Sequence, residues 1–141
     1  MNDIKTNAAK TDNPKYVYGV GRRKTATARA KFYQGEGELE VMINKRKLAD
    51  YFQDYYAKII TDALLNMGIV SGNVHFFIRG GGIMAQSEAA RLALVKALRV
   101  MEPEMGKLAR SFGYMTSDNR IVYPKKAGRR KSRKVEQWSK R

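Results

Sequence analysis

The sequence predicts an α+β domain (α/β in a looser reading), a small mixed β-sheet with helices packed on it, followed by a long extended basic tail. Three observations predict it. Apolar residues alternate in twos over Thr25–Tyr33, Leu39–Ile43 and Val74–Arg79, the period of half-buried strands. They recur at threes and fours over Ile59–Met67 and Ala90–Met101, the period of amphipathic helices. And residues 124–141 carry nine cations against one carboxylate, Glu136, with only Val135 and Trp138 as sizeable apolar groups. Such a segment cannot bury enough surface to order itself, so alone it is an extended arm.

The elements follow in order. In the first strand Ala26, Ala28, Ala30 and Phe32 share one face, and Thr27, Arg29, Lys31 and Tyr33 the other. Gln34-Gly35-Glu36-Gly37 is a turn signal, and Leu39, Val41 and Ile43 mark a second strand. A hairpin across that turn pairs Tyr33 with Glu38, Phe32 with Leu39 and Lys31 with Glu40, which matches the apolar faces and sets an opposite-charge pair outside. On that register Glu40 partly neutralises Lys31, whereas Arg22, Arg23 and Lys24 have no local carboxylate. Residues 45–52 read as a short helix or turn. The helix over Ile59–Met67 stops at Gly68. Val74, Phe76 and Ile78 form one face of a third strand, with His75 on the other as a structural residue. Ala90, Ala93, Leu94, Ala97, Leu98 and Met101 stripe a long helix that Pro103 ends, and a further helix covers 104–112. Ile121 and Val122 suggest a short last strand. The expected order is β-β-α-β-α-α-(β), in a domain over 16–123. A polar extension, 1–15, precedes it and is given no specific role; the tail, 124–141, follows it.

Composition narrows the function. The 141 residues include 28 Lys plus Arg and 13 Asp plus Glu, for a formal net charge of +15. A polyanion is the natural partner, nucleic acid before a membrane surface. With no cysteine and one histidine, cysteine-based zinc sites, disulfides and multi-histidine sites are excluded. No apolar run is long enough to span a bilayer, and no amphipathic apolar face in the tail suits a membrane surface. The N-terminus resembles neither a signal peptide nor an Arg-rich transit peptide, so a bacterial cytoplasmic location is expected, an organellar one being the alternative.

Two glycine-rich stretches invite phosphate. Gly19-Val20-Gly21-Arg22-Arg23-Lys24-Thr25 lacks phosphate-loop spacing and leads into a strand, not a helix. It reads as basic backbone facing RNA phosphates, or else as a bend in the first strand. Arg79-Gly80-Gly81-Gly82 opens a helix, where backbone N–H groups attract anions. The alternative there is a tight turn needing positive φ. No catalytic constellation, metal site or cofactor motif is recognisable. Tyr16, Tyr18, Tyr33 and Trp138 are available for base stacking, and Trp138, on an arm without a core, is expected to dock on something.

Three stretches resemble a known family. Gly21-Arg22-Arg23-Lys24-Thr25-Ala26, the glycine triplet running Gly80-Gly81-Gly82-Ile83-Met84-Ala85-Gln86, and the end, Lys125-Lys126-Ala127-Gly128 through Gln137-Trp138-Ser139-Lys140-Arg141, are similar in order and spacing to the ninth protein of the small ribosomal subunit in its bacterial form. Trp138 stands where the family usually has phenylalanine, Tyr123-Pro124 replaces a more basic pair, and Ala85 takes a site often held by glycine. The resemblance implies a fold like the second domain of the fifth small-subunit protein. It implies a structural, non-enzymatic RNA-binding protein of the subunit head, with neighbouring head proteins as partners. Arg22, Arg23, Lys24, Thr25, Arg79, Gly80, Gly81, Gly82, Gln86, Lys125, Lys126, Arg129, Arg130, Lys131, Arg133 and Lys134 would meet ribosomal RNA of the 3′ major domain. Ser139, Lys140 and Arg141 would approach the anticodon stem-loop of peptidyl-site tRNA. A free-standing RNA-binding factor and a small phosphate-binding enzyme on the related fold are the alternatives.

Overall fold

A computed structural model describes residues 16–140. The N-terminal extension and Arg141 lie outside the described residues. The elements are β1 (Tyr16–Arg23), β2 (Ala26–Tyr33), β3 (Glu40–Ile43), β4 (Arg46–Lys47), α1 (Leu48–Tyr51), α2 (Asp54–Asn66), β5 (Asn73–Arg79), α3 (Ile83–Met101) and α4 (Pro103–Ser111). The strands make one five-stranded mixed sheet in the order β1-β2-β5-β3-β4. β1 pairs antiparallel with β2, β2 with β5 and β3 with β4, and β3 runs parallel to β5. The α+β expectation holds.

The hairpin expected across Gly35–Gly37 does not form. β2 is an inner strand, paired on one side with β1 and on the other with β5. Residues 34–39 carry the chain past β5, and β3 pairs in parallel on the far side, Val41 opposite Val74 and Ile43 opposite Phe76. Lys31 therefore stands between Tyr18 and His75, not opposite Glu40. The short-range register satisfied the same apolar alternation, but it lacked the strand that competes for β2.

That strand, β1, carries almost no hydrophobic signal for a physical reason. Its core-facing positions are Val17, Gly19, Gly21 and Arg23. A Cβ on Gly19 would lie 2.1 Å from the Ala93 carbonyl oxygen, and one on Gly21 would lie 2.0 Å from that of Ala89. Helix α3 thus rests directly on the β1 backbone, with alanines at four-residue spacing (Ala85, Ala89, Ala93 and Ala97, all buried) making room. The glycines that looked like a phosphate loop are packing residues.

The core lies between the sheet and the helices. Phe32, Ile43, Val74, Phe76 and Ile78 come from the sheet, Ile60 and Leu64 from α2, and Leu94 and Leu98 from α3. Gly68, at φ 70°, ends α2, and Pro103 opens α4 at its first turn. The expected strand at Ile121 and Val122 is absent. The two residues are 56% and 92% exposed, and a pair of apolar side chains without a flanking pattern has no sheet edge to join.

Candidate nucleic-acid interface

Because every helix packs on one face, the alternation along the strands delivers the other face to solvent. Cross-strand register then sets its rows. Arg22 lies beside Thr27, and Thr27 beside Arg79. The next row is Val20, Arg29 and Phe77, and the next Tyr18, Lys31 and His75. Tyr16, Tyr33 and Asn73 close the series. A groove on this face is lined by Tyr18, Arg22, Thr27, Arg29, Lys31, Asn44, Phe77 and Arg79. Four of those residues are cations and none is an acid. The Lys31 ammonium lies 4.6 Å from the centre of the Tyr16 ring and 5.9 Å from that of Phe77, close over aromatic surface, and among the described residues it pairs with no carboxylate. The Tyr33 and His75 rings meet at 5.2 Å, tilted by 58°.

The floor of the groove is fixed at its β3 side by Asn44. Its side-chain amide donates to the Ile78 carbonyl at 3.0 Å, and its amide oxygen accepts from the Ile78 N–H at 3.0 Å. Asn44 thereby extends the β3–β5 ladder by one side chain where the main chain turns away at φ 47°.

The two glycine-rich motifs meet at one end of the sheet. Lys24 and Thr25 form the exposed β1–β2 turn, Lys24 at φ 52°. Gly80 and Gly81 take φ 69° and 71° against that turn, where a Cβ would lie 2.8 Å from the Thr25 carbonyl oxygen and 2.7 Å from the Ala26 Cβ. Both are required by the tight strand-to-helix turn. Gln86 buttresses the turn, donating to the Gly80 carbonyl at 3.1 Å and accepting from the Tyr51 hydroxyl at 3.2 Å. Arg22 and Arg79 share the open face beside it.

Arg23 points the other way. It is 18% exposed, its Nε donates to Glu88 Oε2 at 2.6 Å, and its Nη1 lies 2.9 Å from Asp118 Oδ2. Asp118 also accepts from the Arg120 main-chain N–H and from its guanidinium. Those hydrogen bonds, with the charges of Arg120 and Arg23, hold the Asp118 carboxyl well below its ordinary range. So the structure groups Arg22, Lys24, Thr25, Arg79, the glycine triplet and Gln86 at one end of the sheet, and separates Arg23 from them. Lys125, Lys126, Arg129, Arg130, Lys131, Arg133, Lys134, Ser139 and Lys140 are all exposed beyond the helices. A local turn there joins the Arg130 N–H to the Lys134 carbonyl at 2.9 Å. Trp138 is 92% exposed.

Arg29, Lys31 and Phe77 were not among the residues the sequence singled out for RNA. The strand alternation already put Arg29 and Lys31 on the outer face. What it lacked was β5 as their neighbour.

A one-sided sheet whose open face is cationic and aromatic, with a further cationic segment beyond it, marks a domain with the charge to attract polyanions. Comparison with known proteins narrows the class. A family model described as ribosomal protein S9/S16 matches residues 21–141, and the chain belongs to that family. It is 41% identical over 128 residues to the small ribosomal subunit protein uS9 of Porphyromonas gingivalis, covering 89% of this chain and 98% of that one. It is 37% identical over 140 residues to the uS9 of Rickettsia massiliae, covering 98% and 87%, and 36% identical over 140 residues to that of Rickettsia felis, covering 98% and 86%. No helix among the described residues is long and apolar enough to cross a membrane.

Proposed function

We propose that this protein is a structural, non-enzymatic constituent of the small ribosomal subunit, in the cytoplasm, that binds ribosomal RNA of the subunit head through two surfaces. One is the open sheet face with its glycine-turn end, where Arg22, Lys24, Arg29, Lys31 and Arg79 meet phosphates. The other is the arm over 124–141, whose cations neutralise RNA backbone with little base selectivity. The end of the arm, Ser139, Lys140 and Arg141, reaches the backbone of the anticodon stem-loop of peptidyl-site tRNA. Neighbouring head proteins complete its surroundings.

The observation that carries this reading is the groove whose lining holds four cations and no carboxylate. In a chain of net charge +15 such a face repels other basic surfaces and favours a polyanion. The exposure of Trp138 supports the arm as a docking element. The phosphate-binding enzyme is less well supported, because packing against the β1–β2 turn already accounts for Gly80 and Gly81.

Sedimentation of a cell lysate at ordinary and raised salt, with the chain followed by mass spectrometry, tests the proposal. Near-stoichiometric migration with the small subunit in both gradients is the expected result. Migration at the top of both gradients overturns it.

A further inference from the structure

We infer that the groove on the open sheet face seats an unpaired nucleotide, with its base against Phe77 and Tyr18 and its flanking phosphates on Arg22 and Arg79. The inference rests on the RNA-binding reading and adds the form of the RNA: a bulged or single-stranded nucleotide, not the side of a duplex.

Two features carry it. The first is the exposure of the aromatic rings. Phe77 is 45% exposed and Tyr18 42%, side by side with cations on a face that the helices leave bare. Phe77 has no polar tip, and with the Lys31 ammonium 5.9 Å from the centre of its ring it still leaves apolar surface open among the cations. A base has a π-face that it can cover, whatever the base is.

The second is the order of the rows. Arg22 and Arg79 flank Thr27 in one row, and Phe77 stands in the next, about 7 Å along the strands. Tyr18 follows in the row beyond. Arg22 and Arg79 for the phosphates, and Phe77 and Tyr18 for the base, with Arg29 and Lys31 on the strand between the rings, offer partners to both halves of a nucleotide. A duplex presents its phosphates outward and keeps its bases stacked inside, so it would engage the arginines and leave the rings bare. A protein partner would have to bring acids to the arginines and an apolar side chain to the rings; with no carboxylate in the groove to steer a mixed surface, RNA is the better match.

The full-length chain is tested with a ten-residue oligouridylate carrying one 4-thiouridine, and with an RNA duplex of the same length. Irradiation followed by peptide mapping is expected to cross-link the single strand to the peptides that hold Tyr18 or Phe77. Cross-links confined to residues 124–141 would overturn the inference. Phe77→Ala is expected to weaken single-strand binding roughly 5- to 100-fold with an unchanged salt slope, and to leave duplex binding as it was. Arg79→Ala is expected to weaken both and to lower the single-strand slope by about 0.7. Equal losses on both RNAs for Phe77→Ala, or none on either, would overturn the seat. Should Phe77→Ala fail to fold, Tyr18→Ala and the wild-type cross-link map decide the matter. Irradiation of intact small subunits whose RNA has been made with 4-thiouridine is expected to join these peptides to RNA; subunits that cross-link elsewhere but never at these peptides would overturn it. A chain that sediments with the subunit yet gives no sheet cross-link defeats only the seat. A chain that never sediments with it defeats the functional reading as well.

Discussion

Arg23, at the end of β1, holds Asp118 with Nη1 and Oδ2 2.9 Å apart, and so ties the segment after α4 back to the sheet. The same guanidinium donates to Glu88 on α3 at 2.6 Å. One side chain therefore joins a strand, the long helix and the stretch that leads toward the basic arm. Its neighbour Arg22, on the opposite face of β1, has no such ties among the described residues.

Adjacent arginines should consequently behave differently. Arg23→Ala removes a partly buried, charge-assisted hydrogen bond and leaves Glu88 without it, a loss of about 1.5–3 kcal/mol. Arg22→Ala removes an exposed cation and should leave stability within about 0.5 kcal/mol while weakening RNA binding. Urea unfolding of the two variants, with RNA titrations alongside, checks both halves. Equal stability of the two would refute the division.

The Asp118 carboxyl gives a dependence on pH. Hydrogen bonds from Arg120, with the charges of Arg120 and Arg23, lower its pKa in the folded state. Its contribution is then fully present above the unfolded value of about 3.9 and is lost only as the pH falls below it. The tie to Arg23 should stay intact from neutral pH down to about 4. In carbon-detected NMR the Asp118 carboxyl should not titrate across that range. An inflection near the ordinary aspartate value of about 3.9 would show that the Arg120 hydrogen bonds, the main cause of the lowering, are not formed. Asp118→Asn, which mimics protonation, should speed tryptic cleavage after Arg120 at neutral pH.

The glycine triplet separates packing from ligand binding. Gly81→Ala places a Cβ at φ 71° and 2.7 Å from Ala26, which costs about 1–3 kcal/mol in strain and overpacking. Gly82 has open space around it and φ −86° as the N-cap of α3. Gly82→Ser should be neutral or slightly stabilising, since a serine hydroxyl caps a helix well. Thermal unfolding orders the two variants. A destabilised Gly82→Ser would mean that this position is closed by something other than solvent.

How much of this was legible beforehand follows from which signals are local. The helices α2, α3 and α4 announced themselves because their apolar stripes are continuous, and Gly68 and Pro103 punctuate them. β2 and β5 did so by alternation. β1 was hidden because close approach of α3 demanded Gly19 and Gly21 where a strand would ordinarily show apolar residues. With β1 missing, β2 had a free edge, and the wrong hairpin with residues 38–40 filled it. That error reached the site. It gave Lys31 a carboxylate partner and left Arg29 and Phe77 without their row. The cluster around Lys24 and the glycine triplet was visible as two motifs, but their meeting depends on the β2–β5 pairing. Arg23 looked equivalent to Arg22 because strand alternation, which separates the two, had not been recognised there.

The arm and the sheet should divide the work of binding, and salt can tell them apart. Each phosphate neutralised by a cation contributes about 0.7–0.9 to the slope of log K against log salt. Replacing Lys125, Lys126, Arg129, Arg130, Lys131 and Arg133 together with alanine should therefore lower the slope for RNA by roughly 4 to 5 if each meets a phosphate. These side chains are exposed and lie beyond the helices that build the core, so the thermal transition should not move. An unchanged slope would remove the arm from the phosphate contacts and leave the sheet to supply them. Truncation of Lys140 and Arg141 asks a narrower question. It leaves the six cations in place, so the chain should still enter small subunits in full amount. Retention of tRNA at the peptidyl site should fall, because two charges that lie past Trp138 would no longer reach its backbone. Subunits that failed to assemble would place those two residues in the RNA scaffold itself. Subunits that assembled and held tRNA at the wild-type level would confine the arm to ribosomal RNA.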